Sequence, residues 1–151
     1  IIMFIMACAG AFTYILTTSG VAAQLSNALL GITSNELILL LIMMLIFMIA
    51  GCFVDSASGF YLLMPILLPV VRNMDIPLYA FGVLATINFA IGQITPPVGS
   101  NLFVACNIAD VSMKDLVSKL WPFLLAGTFS LLLMVFFPQI ITFLPNLLGL
   151  E

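Results

Sequence analysis

The chain has 151 residues, 64% of them hydrophobic and 6% charged, and a mean hydropathy of +1.35, which is the composition of an integral membrane protein and excludes an ordinary soluble domain. Three basic and six acidic side chains leave a net charge of −3 and no basic patch, so nucleic-acid binding is excluded. Long unbroken apolar runs exclude a transmembrane barrel, whose strands alternate, and the lack of histidine removes Ser-His or Cys-His catalysis and histidine metal sites.

The chain begins inside an apolar run, IIMFIMACAG, without an initiator methionine or a charged leader region, so a fragment of a longer permease is expected. Residues 1–34 are expected to form a membrane helix from Ile1 to about Leu16, ended by Thr17, Thr18, Ser19 and Gly20. A short interfacial helix carrying Val21, Leu25, Ala28, Leu29 and Ile32 follows. Thr33 and Glu36 have capping-box spacing for the next helix, Leu37 to about Phe53. That helix meets VDSAS, Val54 to Ser58, and a second apolar limb runs on to Val71.

Residues 35–73 fit either two full spans or a re-entrant hairpin with its tip at Asp55 to Ser58. The second limb has 16 residues, Ser56 to Val71, and is interrupted by Pro65 and Pro69. That is near the short limit for a span. Asp55 also stands without the companion charges of a surface loop, which favours the hairpin. The three cysteines, Cys8, Cys52 and Cys106, lack metal or disulfide spacing and are expected to be small buried apolar residues.

Residues 76–109 hold 34 positions without a charge, Ile76 to Ala109. As one helix they would be about 51 Å long against a hydrocarbon core of ~30 Å. ITPPVG, Ile94 to Gly99, supplies the break, separating a helix over 78–92 from one over 101–109. Ser112 and Asp115 should cap a short interfacial helix over 110–119, with Asp115 and Lys119 as an i,i+4 pair. Trp121 suits an aromatic belt, a last span should run to Phe137, and Pro138 and Pro145 should break the tail that ends at 151. The positive-inside rule favours a cytoplasmic Lys114/Lys119 segment over a cytoplasmic Arg72.

Unwound backbone at membrane depth must be buried in protein or line a polar cavity, and transporters place substrates and coupling ions there. Thr95, Pro96, Pro97, Val98 and Gly99 would offer freed carbonyl oxygens to a hard cation such as sodium. Asn88, Gln93, Pro97, Ser100 and Asn101 are candidates for a polar substrate, and the helix N-terminus after Gly99 favours an anionic group. The competing view is a proline kink that serves packing, and hydrogen bonding within the protein for each polar side chain. Asp55, a lone intramembrane carboxylate, would ligate a cation, carry a proton or pair with a base elsewhere, or else simply cap the helix that follows.

GCFVDSASGFYLLMPILLPVV (Gly51 to Val71), FGVLATINFAIGQITPPVGSNLFVA (Phe81 to Ala105), WPFLLA (Trp121 to Ala126) and FPQIITFLP (Phe137 to Pro145) resemble the C-terminal part of a large TRAP permease subunit. TRAP transporters are tripartite ATP-independent periplasmic carriers, and the likeness is strongest to the sialic-acid type. The resemblance implies an all-α membrane protein, the second inverted repeat of an elevator-type carrier with a re-entrant helical hairpin and a broken transmembrane helix. It implies sodium as coupling ion, held by Gly51, Asp55, Ser56, Thr95 and Gly99. It also implies a sialic acid or C4-dicarboxylate substrate delivered by a periplasmic binding protein, a small membrane subunit, the remainder of the permease as partner, and a multi-pass place in the bacterial inner membrane.

Two other function classes compete with this one. An intramembrane aspartyl protease needs two facing aspartates, and only Asp55 lies at membrane depth. A non-transporting assembly subunit would not need an unwound polar centre.

Overall fold

Apolar runs become helices here wherever a capping side chain or a proline marks their ends. A computed structural model describes residues 35–149 continuously and isolated positions between 11 and 33. The helices expected over 1–34 otherwise lie outside the described residues.

Helix α1, Glu36–Phe53, starts at Asn35, whose Oδ1 accepts from the N–H groups of Leu37 (3.0 Å) and Ile38 (3.4 Å). The Thr33–Glu36 capping box therefore does not form. Asparagine is at least as good a cap as threonine and stands directly before the apolar run. Thr33 Oγ1 accepts from Asn35 N instead, and Glu36 Oε1 accepts from Asp75 N at 3.3 Å.

Helix α2, Ser56–Val71, is capped by Asp55 and accommodates Pro65 and Pro69, with Asn73 Nδ2 donating to Pro69 O at 2.9 Å. Helix α3, Leu78–Gly92, follows Pro77, and α4, Ser100–Ala109, resumes after the break.

Helix α5, Met113–Phe136, corrects an expectation. Its 24 residues run without interruption, so no separate interfacial helix ends at 119. Membrane helices tolerate an internal proline, and Pro122 has no Gly or polar cluster beside it to complete a break. Ser112 caps it as expected, accepting from Asp115 N and donating to Asp115 Oδ2 at 2.6 Å. That bond occupies the carboxylate, and among the described residues no Asp115–Lys119 ion pair forms. Helix α6, Gln139–Leu147, contains Pro145 instead of ending at it, because a proline so near the final turn removes only one internal bond.

Helix α3 is the centre, packed by α1, α2, α5 and α6. Phe89 of α3 lies 5.2 Å from Phe47 of α1, edge to face, and 5.1 Å from Phe60 of α2. Each such pair adds about 0.5–1.5 kcal/mol beyond its buried area. Two glycines set how closely these helices approach. A Cβ on Gly59 would run into the Phe89 ring, and one on Gly92 would stand only 2.8 Å from Gly51 Cα. Helices α1 and α5 are each long and apolar enough to cross a membrane.

Candidate functional site at the helix break

The chain unwinds between Gly92 and Ser100, as Pro96 and Pro97 require. Their shared peptide bond is cis. Gly99 has φ +52°, a left-handed value that glycine adopts without strain. A Cβ there would lie 3.0 Å from both Gln93 O and Thr95 O and 2.8 Å from the Leu102 side chain. Only glycine fits this cradle.

The break is fastened to the end of α1. Gly99 N donates to Cys52 O at 2.9 Å, a bond between main chains 47 positions apart. Beside it, Gln93 Nε2 donates to Ser56 Oγ (2.6 Å) and Asn101 Nδ2 donates to Gln93 Oε1 (3.0 Å). Gln93 thus joins the start of α2 to the start of α4. Close contact of Gly51 with Gly92 brings α1 and α3 together one residue before Cys52 and one before Gln93.

This junction is rich in unused oxygen. Among the described residues the carbonyls of Ile94, Thr95, Pro97 and Val98 accept no hydrogen bond, and neither do those of Gly51, Phe53 and Val54 at the end of α1. The second group also carries the negative end of the α1 dipole. Thr95 Oγ1 donates to Ile91 O at 2.7 Å, which leaves its lone pairs free. Two of the expected free carbonyls are in use: Gly99 O accepts from Leu102 N (2.8 Å), and Pro96 O lies 3.9 Å from the Cys52 thiol.

The sequence-predicted residues divide into groups. Gly51, Ser56, Gln93, Thr95, Gly99 and Asn101 meet at the junction. Pro97 and Ser100 are exposed beside it. Asp55 caps α2, its Oδ2 accepting from Ser58 N at 3.2 Å, and its carboxylate is exposed without a hydrogen bond to the break. Asn88 is fully buried against α1, donating to Met44 O at 2.6 Å, and does not reach the break. At the N-terminus of α4, Asn101 N and Leu102 N already donate to Gln93 O and Gly99 O, so only part of that end is open to an anion. Cys52 is the residue that sequence reasoning missed. It acts through its main-chain oxygen, for which the sequence carries no signal.

Comparison with known proteins gives a consistent outcome. The family model described as tripartite ATP-independent periplasmic transporter, DctM component, matches residues 1–140. The chain is 34% identical over 128 residues to the sialic acid TRAP transporter permease protein SiaT of Haemophilus influenzae, covering 85% of this chain and 21% of that protein. It is 34% identical over 136 residues to the sialic acid TRAP transporter large permease protein SiaM of Vibrio cholerae, covering 90% and 32%. It is 30% identical over 149 residues to the C4-dicarboxylate TRAP transporter large permease protein DctM of Rhodobacter capsulatus, covering 99% and 34%. The chain therefore spans between a fifth and about a third of the length of these relatives, all of them named as transporter permeases and not as enzymes.

Proposed function

Since the chain belongs to the family of the DctM component of tripartite ATP-independent periplasmic transporters, we propose that it forms part of a sodium-coupled importer of a carboxylate-bearing organic anion. The single observation behind the ion site is the bond from Gly99 N to Cys52 O, which sets two groups of unpaired carbonyls against each other. Sodium is a hard cation that takes oxygen ligands, and unwound backbone beside a helix C-terminus is where transporters hold it. Thr95 and Gly51 contribute main-chain oxygens, Ser56 and Thr95 contribute hydroxyls, Gly99 shapes the loop, and Asp55 supplies negative charge at the rim.

In this proposal α1 and α2 form a re-entrant hairpin with its tip at Asp55 to Ser58, and α3 and α4 form the broken span. Movement of this unit against the remainder of the permease carries ion and substrate across in an elevator cycle. The names of the relatives favour sialic acid or a C4-dicarboxylate as substrate. The tripartite family description favours a small membrane subunit and a periplasmic binding protein as partners in the bacterial inner membrane. Ser100 and Asn101, at the partly open start of α4, are placed to meet the anion.

Uptake of labelled substrate into vesicles holding the full permease and its binding protein is the test. Accumulation should require an inward sodium gradient. Uptake at the same rate in potassium alone, or driven by ATP, would refute the proposal.

A further inference from the structure

Gly51 of α1 and Gly59 of α2 each stand one turn back from the corner that joins these helices, and both face the same side chain. A Cβ on Gly51 would lie 3.3 Å from Phe89 Cδ1, and one on Gly59 would run into Phe89 Cε1 and Cζ. Phe89 is 0% exposed, and its ring also meets Phe47 of α1 at 5.2 Å and Phe60 of α2 at 5.1 Å. A single α3 side chain is therefore held by both limbs. Glycine is the poorest helix former after proline, so at these two helical positions propensity is given up and room for a ring is gained.

The bonds that fasten the α1–α2 corner to the break leave from the residues between the two glycines. Cys52 O accepts from Gly99 N at 2.9 Å, and Ser56 Oγ accepts from Gln93 Nε2 at 2.6 Å. Gln93 itself follows Phe89 by four residues, about 6 Å along α3. Interiors packed this densely respond to changes as small as one methylene. The volume of the ring thus sets the spacing of the limbs, and that spacing sets where Cys52 O and Ser56 Oγ stand.

We propose that Phe89 is a positioning residue for the ion site: its ring, seated between Gly51 and Gly59, fixes the α1–α2 corner against the break. The consequence for ion affinity rests on the sodium site proposed above, whereas the placement of the corner does not. Phe81 separates this role from plain core packing. It is also 0% exposed and its ring lies 5.8 Å from Phe47, but it sits two turns earlier on α3 and is not among the nearest neighbours of either glycine.

A size swap in the full permease, held in lipid nanodiscs, is the test. In Gly59→Ala the methyl group meets Phe89 Cε1 and Cζ, the atoms that leucine lacks, while Cδ1 is 3.4 Å away. Gly59→Ala and Phe89→Leu should each do harm, and the double variant should be tolerated. Hydrogen–deuterium exchange without sodium reads the corner through the peptides carrying the Ser58 and Gly99 amides, which bond Asp55 Oδ2 and Cys52 O. Their exchange should quicken about fivefold or more in each single variant and return to within about twofold of wild type in the double. The sodium midpoint in equilibrium titration should rise about fivefold and recover in the same pattern. Phe81→Leu should melt lower yet leave both readouts unmoved. If Gly59→Ala does not assemble, Phe89→Leu against Phe81→Leu makes the same comparison. Exchange unchanged in the single variants, a double no better than the worse single, or an equal effect of Phe81→Leu would overturn the proposal. A wild type that binds no sodium would instead refute the proposed function, and exchange would still decide the role of Phe89.

Discussion

Replacing Gly92 by alanine should damage the junction while leaving its polar residues in place. The new Cβ would stand 2.8 Å from Gly51 Cα and 3.0 Å from both Gly51 C and Met48 O. The first of these is about 0.7 Å inside the ~3.5 Å at which carbon atoms attract. All three neighbours are main chain of α1, so no side chain can rotate away, and the helices themselves must part. Overpacking of this kind costs about 1–3 kcal/mol, or roughly a five- to 150-fold shift in an equilibrium. The Gly99–Cys52 bond lies just beyond the crossing, so sodium affinity should fall along with stability. Gly82→Ala is the control on the same helix: nothing lies within 4 Å of its Cβ, and alanine is the better helix former by about 1 kcal/mol. Thermal unfolding of the purified permease, read with and without sodium, is the assay. Gly92→Ala should melt lower and gain less from sodium, while Gly82→Ala should melt no lower than wild type. Equal melting and equal sodium stabilisation for Gly92→Ala would refute the packing argument.

Gly99→Ala should insert normally yet lose most transport, because its left-handed φ and two carbonyls at 3.0 Å leave no room for a methyl group; near-wild-type uptake would show that the cradle is slack. Gln93→Ala should raise the sodium midpoint of uptake, and Gln93→Glu should restore part of it by accepting from both Ser56 and Asn101; a midpoint unmoved by either change would remove Gln93 from the junction. Asp55→Asn retains a good helix cap, so stability should hold, while the loss of about 1 kcal/mol of attraction across ~4 Å in water-like surroundings should raise the sodium midpoint about fivefold. An unchanged midpoint would leave Asp55 as a cap alone.

Much of the helix pattern was legible because polar and proline punctuation is dense in an apolar chain. Pro77 and Gly92 bound α3, Asp55 and Arg72 bound α2, and the double proline forces the break. Misreadings arose where the same signals are ambiguous. Thr33 and Asn35 are both good caps two residues apart, and Asn35, directly before the apolar run, is the one that caps α1. Pro122 and Pro145 look like Pro96 and Pro97 in isolation, yet each is a single proline that its helix contains without ending.

The candidate site was legible in residue types but not in its pairings. Ser56, Gln93 and Asn101 were each visible as polar residues in apolar surroundings, but their mutual bonds depend on how the starts of α2 and α4 meet the end of α3, which no local pattern encodes. Asn88 reads from sequence as one more polar residue near the break. Five residues before Gln93, the helical turn instead carries it to the α1 side, where it serves a different contact.

The central claim is that the freed carbonyls of the break, held against the end of α1, bind sodium. Equilibrium titration of sodium into the purified full permease, in the absence of substrate, measures this most directly. Wild type should bind sodium saturably, and the Pro96→Ala/Pro97→Ala variant should bind at least tenfold more weakly. In that variant a continuous helix would pair the main-chain oxygens at positions 94, 95, 97 and 98, which are free in the wild type. Sodium affinity equal to wild type in the variant would contradict the account.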